Sequence, residues 1–286
     1  MIIRGTPAYR RLTLAMLFAG FSTFSLLYSV QPLLPVFATR FGLDAENASL
    51  AVSLATGPLA IGILFAGALS DRVGRRPMMV AAMFLAGAFS LGAALAPGWQ
   101  LLLAFRFATG VALAGVPAVA MAYVSEEVDH GSVGAAMGLY IAGSAIGGMF
   151  GRLGVSLVAE IADWRWAMGA VAIAGLVMAE GFRQLAPASR GFTPSSASRA
   201  ELVRGMRQLF ADRAMPLLYA EAFLLMGVFV TVYNYAGFRL MGPPYALGHA
   251  EVGAIFLLYL LGSVSSAWFG ELAGRKARRL IRSLRR

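Results

Sequence analysis

Charged side chains between apolar runs are the first candidates for chemistry in this chain. Asp71 is followed by Arg72, Arg75 and Arg76 in a short polar segment, and Glu126 lies in a second such segment. A carboxylate among guanidinium groups can form ion pairs that stabilise one conformation and break in another, each contributing under ~1 kcal/mol where solvent reaches it. We interpret these residues as a conformational gate, with an ordinary run of solvated charges as the alternative.

Three charged residues inside apolar runs are the next candidates. Burying the guanidinium of Arg106 in lipid costs about 3 kcal/mol, so this side chain needs a partner or water. We predict that Arg106 couples to protons or to an anionic ligand; bonding to the carbonyls of a neighbouring helix is the alternative. Glu221 is a candidate protonatable partner, although its place near the end of a run suits a surface role equally well. Arg152, near the end of another run, is a weaker candidate, because it could extend to the membrane surface.

Uncharged polar side chains that could contact a ligand lie in three of the apolar runs. Pro32 and Pro35 predict a bend in the first run, and a bent helix is tolerated where it lines a cavity. An amide that joins two helices is the alternative for Gln31, and an interfacial aromatic belt is the alternative for Tyr233. The predicted ligand path is lined by Tyr28, Gln31, Tyr140, Ser144, Tyr233 and Asn234.

The elements that must position these residues follow from the composition. Hydrophobic residues make up 59 % of the chain and charged residues 13 %, with a mean hydropathy of +0.72. This composition excludes an ordinary soluble domain. We predict an all-α membrane protein of about eight transmembrane helices, since a crossing needs about 20 apolar residues. The predicted spans are 12–37, 48–70, 77–96, 99–124, 132–158, 164–184, 214–238 and 250–273.

The loops on the two sides of these spans differ in arginine content. One set holds only Arg40, Arg165 and Arg239, whereas the other set and the C-terminal tail hold most of the remaining basic residues. Positive charge marks the cytoplasmic side, which predicts that both termini are cytoplasmic. The net charge of +10 therefore reflects membrane topology, and we expect the lipid bilayer rather than nucleic acid as a partner.

The segment from Gly67 to Arg76 resembles the signature G-x-L-x-D-R-x-G-R-R, which lies between the second and third helices of the major facilitator superfamily. Gly67 would let a neighbouring helix approach closely, and Gly74 would allow a turn with positive φ. The resemblance implies a major-facilitator-type helical bundle, in which Asp71 and its neighbours work the inner gate. It also implies a bacterial inner-membrane transporter that moves a small-molecule substrate by alternating access.

Two further segments resemble signatures of drug-efflux-type members of this superfamily. Arg106 is followed by Gly110 four residues later, and in drug/proton antiporters an arginine at that place is associated with proton coupling. Residues 138–148 resemble the antiporter signature, but Gly143-Ser144 stands where that signature has Gly-Pro. The resemblance implies efflux by proton antiport, while close helix packing is the alternative for these glycines.

The second part of the chain repeats the first, since residues 270–279 match 67–76 at several positions. We predict a six-helix half at 1–185, a cytoplasmic linker at 186–213 with an amphipathic segment near 199–210, and a partial second half at 214–286. Superfamily members have twelve helices. We therefore expect a chain truncated after its eighth helix, inactive alone unless a partner supplies the missing helices.

A non-transporting membrane module that binds a partner or ligand is the alternative function. An enzyme is not expected, because the apolar runs contain no His/Asp/Ser set and no H-E-x-x-H motif. The chain has no cysteine, and its two histidines, His130 and His249, lie far apart in the sequence. We accordingly expect no metal site and no cofactor.

Overall fold

In a computed structural model, the chain forms a bundle of long helices. The structure describes residues 1–189 and 214–258, with four single positions (192, 204, 207 and 211) between them. Seven stretches in the described ranges are long and apolar enough to cross a bilayer. The prediction of an all-α membrane bundle is confirmed, and its first seven spans are found. The amphipathic segment, the repeat at 270–279 and most of the eighth span lie outside the described residues.

The first and fourth spans are each divided into two helices, and every other described span is a single helix. The helices are α1 (Pro7–Tyr28), α2 (Leu34–Phe41), α3 (Ala45–Val73), α4 (Arg75–Leu95), α5 (Trp99–Leu113), α6 (Pro117–Glu127), α7 (Val133–Ile161), α8 (Trp164–Leu185), α9 (Ala214–Met241) and α10 (His249–Ala254), with 3₁₀ turns at Gln31–Leu33 and Ile255–Leu257.

Prolines account for both divisions. α1 ends at Tyr28, and Pro32 has no N–H with which to continue the helical hydrogen bonds into the next turn. This is the bend predicted from the sequence. In the fourth span, α5 ends at Leu113 and α6 begins at Pro117, where a proline is favourable because a first-turn N–H has no helical acceptor. The sequence analysis did not predict this second division.

Polar residues and one glycine fix the starts and turns of the long helices. The Asp44 side chain accepts a hydrogen bond from the N–H of Asn47 at 2.7 Å and so caps α3. Between α3 and α4 the chain turns at Gly74, whose φ of +99° is strained for a residue with a side chain. The predicted turn glycine is therefore present, and it brings the end of α3 back to the start of α4.

Helices α1 to α8 form the first six spans, which we call the six-span unit. Within it, α1 is largely buried and packs closely along α7. A methyl group on Gly143, Gly147 or Gly151 of α7 would overlap backbone atoms of α1. Such close approach replaces the hydrophobic driving force that lipid does not supply between helices. These glycines thus have the packing role that the sequence analysis left open.

The arginine-rich end of the bundle is the end that carries Arg75, and the opposite end carries Trp164. α9 contacts the six-span unit near the opposite end, where Gly237 is buried against Pro35. Nearby, Gly253 of α10 packs on Ser156 of α7. The first half of α9, by contrast, is exposed within the described chain. The described contacts of α9 and α10 with the first six spans therefore lie toward the opposite end.

We expect Gly143→Ala to lower the thermal unfolding temperature of the protein in lipid nanodiscs, because its methyl group would meet the backbone of Leu17. Overpacking of this kind costs about 1–3 kcal/mol. Gly138→Ala is the matched control on the same helix, because a methyl group there meets no described atom within 4 Å. Equal unfolding temperatures for the two variants would contradict the glycine-mediated contact.

Candidate functional site

At the arginine-rich end, Arg75 binds two carboxylates from different parts of the chain. Its Nη1 lies 2.6 Å from Asp71 Oδ1, and its Nη2 lies 2.8 Å from Glu126 Oε1. Nη1 also donates a hydrogen bond to Ser70 Oγ at 2.5 Å. Because the Arg75 side chain is only 11 % exposed, these bonds are less weakened by solvent than surface pairs. The cluster ties the α3–α4 turn to the end of α6.

The other predicted gate residues have different surroundings. Arg76 donates hydrogen bonds to the carbonyls of Arg183 and Ala186, at 2.6 and 2.9 Å, and thereby caps the end of α8. Arg72 is exposed, and the described residues provide it with no ion-pair partner. At Gly67, an added methyl group would meet no described atom within 4 Å, so the described chain does not contain the close helix neighbour expected there.

Arg106 is fully buried and is bonded by backbone carbonyls of two helices. Its Nη1 and Nη2 donate to the carbonyls of Leu26 and Leu27 at 2.9 and 2.5 Å, and its Nε donates to the carbonyl of Ala51 at 2.8 Å. Leu26 and Leu27 lie in the last turn of α1, where carbonyls lack helical donors. The guanidinium therefore holds the broken end of α1 against α3. This geometry matches the alternative that the sequence analysis gave for Arg106.

Arg152 of α7 is also fully buried, so the extension to the membrane surface that the sequence analysis considered does not occur. Its Nε donates to Gln31 Oε1 at 2.6 Å, and its Nη1 donates to the carbonyl of Gly148 at 2.8 Å. The guanidinium carbon lies 4.2 Å from the ring centre of Tyr28 and 5.3 Å from that of Phe256. Acceptors and rings from three spans replace the water that a surface position would provide.

The length of α7 in the structure explains this burial. Arg152 lies nine residues before the end of α7, which is about 14 Å at 1.5 Å per residue. That depth is too great for an arginine side chain to reach the surface easily. The distance of an arginine from the end of its helix is therefore better evidence of burial than the presence of a nearby loop.

Gln31 joins the six-span unit to the seventh span. Its Nε2 donates to Asn234 Oδ1 at 2.5 Å, while its Oε1 accepts the hydrogen bond from Arg152. Next to Asn234, the ring of Tyr233 stacks on Phe256 at 5.3 Å. Gln31 thus joins two helices through its amide, as the alternative prediction stated. A side chain in this position can also line a ligand path.

A cavity of about 310 Å³ lies between α1, α7 and α9, with Arg152 in its wall; we call it the Arg152 cavity. Two of the predicted path residues, Tyr28 and Ser144, line it directly, and Ser144 Oγ donates to the Tyr140 carbonyl at 2.9 Å. Tyr140 itself is buried in a core cluster. The complete lining is Phe24, Tyr28, Ile141, Ser144, Ala145, Gly148, Arg152, Met226 and Phe229.

Five of the six predicted path residues therefore lie in or beside the Arg152 cavity, whereas Tyr140 and both predicted coupling residues, Arg106 and Glu221, do not line it. Gln31 and Asn234 adjoin the Arg152 cavity through Arg152, and Tyr233 packs beside them. Glu221, by contrast, is exposed on the first half of α9. The described residues contain no group of three or more His, Cys, Asp or Glu side chains suited to a metal ion.

The sequence model of the Major Facilitator Superfamily matches residues 13–285. The chain belongs to the Major Facilitator Superfamily. Within the superfamily it is 45 % identical over 277 residues to the inner membrane transport protein YnfM of Escherichia coli strain K12. The matched region covers 97 % of this chain and 66 % of YnfM, so the chain spans about two thirds of the length of this relative.

Solved superfamily structures share the fold of this chain at low sequence identity. A bacterial homologue of the human lysosomal transporter Spinster, in an inward-facing and unoccupied conformation, gives a TM-score of 0.75 at 17 % identity over 96 % of this chain and 64 % of that one. A D-xylose-proton symporter gives a TM-score of 0.60 at 18 % identity over 93 % of this chain and 69 % of that one. The chain is a multi-pass membrane protein with the major facilitator fold.

We expect Arg106→Lys to lower the thermal unfolding temperature although it preserves the charge. The compact ammonium group of lysine lacks the planar fork with which three guanidinium nitrogens reach the carbonyls of Leu26, Leu27 and Ala51. A buried carbonyl that is left with no donor costs about 1–3 kcal/mol. The matched control is Arg40→Lys, because Arg40 is exposed at the end of α2. Equal thermal unfolding temperatures of the two variants in nanodiscs would show that the three hydrogen bonds of Arg106 contribute little to stability.

Proposed function

We propose that this protein moves a small molecule across the bacterial inner membrane by alternating access, as a drug-efflux-type member of its superfamily working by proton antiport. The observation that carries the proposal is the hydrogen-bonded chain Asn234–Gln31–Arg152, which lies beside a cavity between the six-span unit and the seventh span. Alternating access requires a site where two units meet, because their relative movement must expose it to each side in turn. The Arg152 cavity has that position.

The arrangement of the ends supports an inward-open form. The distribution of arginines favours a cytoplasmic location for the arginine-rich end. The described parts of spans seven and eight pack at the opposite end, while the first half of α9 stands apart from the six-span unit. The Spinster homologue with the same fold is likewise inward-facing. In this proposal, a substrate enters the Arg152 cavity from the cytoplasm.

The Arg75 cluster is proposed to act on the inner gate. It links the α3–α4 turn to α6, so a movement of either element must stretch or break the bonds from Arg75 to Asp71 and Glu126. Asp71 and Glu126 are 22 % and 26 % exposed, so water can take the place of Arg75 at either carboxylate when the pairs separate. Of the predicted gate residues, Asp71, Arg75 and Glu126 form this cluster and Gly74 shapes its turn.

Proton coupling is proposed for Arg106 and Glu221. Any such role of Arg106 would act through its three carbonyl bonds, since these connect the break in the first span to α3. Glu221 on α9 is accessible to a proton from the arginine-rich end. The D-xylose-proton symporter, which shares the fold, is a proton-coupled transporter by its name.

Two packed units are needed for alternating access. The chain provides a six-span half at 1–185, a linker at 186–213 and spans of a second half from 214 onward. The match covers 66 % of YnfM, and we propose that transport takes place in a form with a complete second half.

The test is proton movement in everted membrane vesicles from cells that express the protein. Respiration acidifies the vesicle interior, and a fluorescent pH probe reports any substrate-driven loss of protons. The substrates offered are an anion, a neutral compound and a cation: 1-naphthoate, 1-naphthamide and ethidium. We expect saturable proton release with at least one of them, absent from vesicles without the protein. No release with any of them, together with co-purification of a membrane partner, would favour the non-transporting module.

We expect Asp71→Asn to reduce the initial rate of this proton release several-fold while the amount of inserted protein stays normal. The neutral amide cannot support Arg75 as the carboxylate does at 2.6 Å. Asp129→Asn is the matched control, since Asp129 lies in the α6–α7 loop and its carboxylate accepts only from the Gly131 N–H in the described chain. An unchanged rate in Asp71→Asn would remove Asp71 from the gate.

A further inference from the structure

We propose that Glu160 is a latch at the end of the bundle opposite the arginine-rich end. Its carboxylate, at the end of the fifth span, holds the start of the eighth span in place while this end is closed. The proposal rests on the transport function proposed above, because alternating access requires the closed end to open in its turn. The sequence analysis did not select Glu160.

Glu160 lies in the last turn of α7 and reaches the first turn of α10. Its Oε2 accepts a hydrogen bond from the N–H of Ala250 at 3.0 Å. The first N–H groups of a helix have no acceptor within the helix, so this N–H needs an acceptor from elsewhere. The bond therefore joins a side chain of the fifth span to the backbone of the eighth.

Gly248 gives the Glu160 carboxylate room beside the backbone of α10. A side-chain carbon on Gly248 would lie 3.1 Å from Glu160 Oε1, which is closer than ordinary van der Waals contact. The N–H of Gly248 donates to Glu251 Oε2 at 2.9 Å, so a second carboxylate bonds the same turn. Glu251 belongs to α10 and moves with it, whereas Glu160 belongs to α7. Of these two bonds, the Glu160 bond is the one that must break when the helices separate.

Below Glu160, α7 and α10 pack closely. A methyl group on Gly253 would come within 2.4 Å of Ser156 Cβ, so the two helices approach each other without room for a larger side chain. Three residues further along the chain, the ring of Phe256 stacks on Tyr233 at 5.3 Å. Ser156 is 1 % exposed with Gly253 packed on it. Separation of α7 from α10 would therefore uncover Ser156.

The position of Glu160 suits a contact that is made and broken. Glu160 is exposed, so its charge stays hydrated when α10 moves away and no unpaired buried charge results. The contact between Ser156 and Gly253 depends on dispersion, which weakens as soon as the two backbones separate. The closed end thus has a directional hydrogen bond at its edge and small residues beneath it.

The experiment measures how fast single cysteines react with a membrane-impermeant maleimide in the purified full chain in lipid nanodiscs. The natural chain has no cysteine, so each introduced thiol reports on one position. Ser156→Cys reports separation of α7 from α10. Ser90→Cys reports loosening of the whole fold, because Ser90 is buried in α4, which packs on α5 and α8.

With Ser156→Cys as the reporter, we expect Glu160→Ala to raise the labelling rate about fivefold, the effect of losing one hydrogen bond of ordinary strength. Glu160→Gln should raise the rate less, because an amide oxygen still accepts from the N–H of Ala250 but carries no charge. Glu46→Ala is the matched control, since Glu46 is an exposed carboxylate in the first turn of α3 at the same end of the bundle. It should leave the rate within about twofold, as surface substitutions do.

The proposal is overturned if Glu160→Ala leaves the labelling rate of Ser156→Cys unchanged. It is also overturned if Ser156→Cys, with Glu160 intact, reacts as fast in the folded protein as in protein unfolded with detergent. Faster labelling of Ser90→Cys in the Glu160→Ala variant would overturn it too, because the carboxylate would then support the whole fold rather than one end.

A third reporter separates this proposal from the proposed function. Ser144→Cys lies in the wall of the Arg152 cavity, which the proposed function opens to the cytoplasm. If the two ends open in alternation, Glu160→Ala slows labelling of Ser144→Cys while it speeds labelling of Ser156→Cys. Faster labelling of Ser156→Cys alone retains the latch and contradicts alternating access. Proton release in vesicles, combined with unchanged labelling of Ser156→Cys, retains transport and rejects the latch.

Discussion

The break in the first span is the feature on which the rest of the structure depends. α1 ends at Tyr28 because the prolines that follow cannot continue its hydrogen bonds, and this leaves carbonyls without helical donors in an apolar bundle. Arg106 supplies donors to the carbonyls before the break, and Arg152 donates to the side chain of Gln31 just after it. Two buried charges thus stabilise one irregular segment, and that segment also contacts the seventh span.

Close packing and polar contacts have different roles along the helix pair α1 and α7. The glycines of α7 bring its backbone against α1 over most of their common length, which fixes the two helices rigidly. On the same helix, Ser144, Gly148 and Arg152 face the Arg152 cavity. The close contact between α1 and α7 therefore fixes the position of these three residues in the cavity wall. The first half of α9 is exposed, and its later part is joined to the first span through Gln31.

The two ends of the bundle are closed by different kinds of contact. Carboxylates and guanidinium groups meet at the arginine-rich end, where Asp71 and Glu126 are partly exposed and Arg75 is largely buried. Aromatic rings meet at the opposite end, for example Phe37 and Trp164 with centres 5.3 Å apart. That contact is apolar and lies inside the six-span unit. Under the proposed function, the ion pairs at the arginine-rich end separate and re-form, while the apolar contact holds the opposite end of the unit in shape.

The sequence by itself determined the class of fold, seven of the spans, the Gly74 turn and the bend after Tyr28, because hydropathy, glycine and proline act locally. It also brought together Asp71, Arg75 and Glu126 as candidates, since charges excluded from lipid must collect at the ends of spans. Only the tertiary structure decided which arginine serves which purpose. Arg106 and Arg152 look alike in sequence, each a single cation in an apolar run, and only the packed helices show that one meets carbonyls while the other lines a cavity. The partners of a buried charge come from other helices, so local sequence cannot specify them.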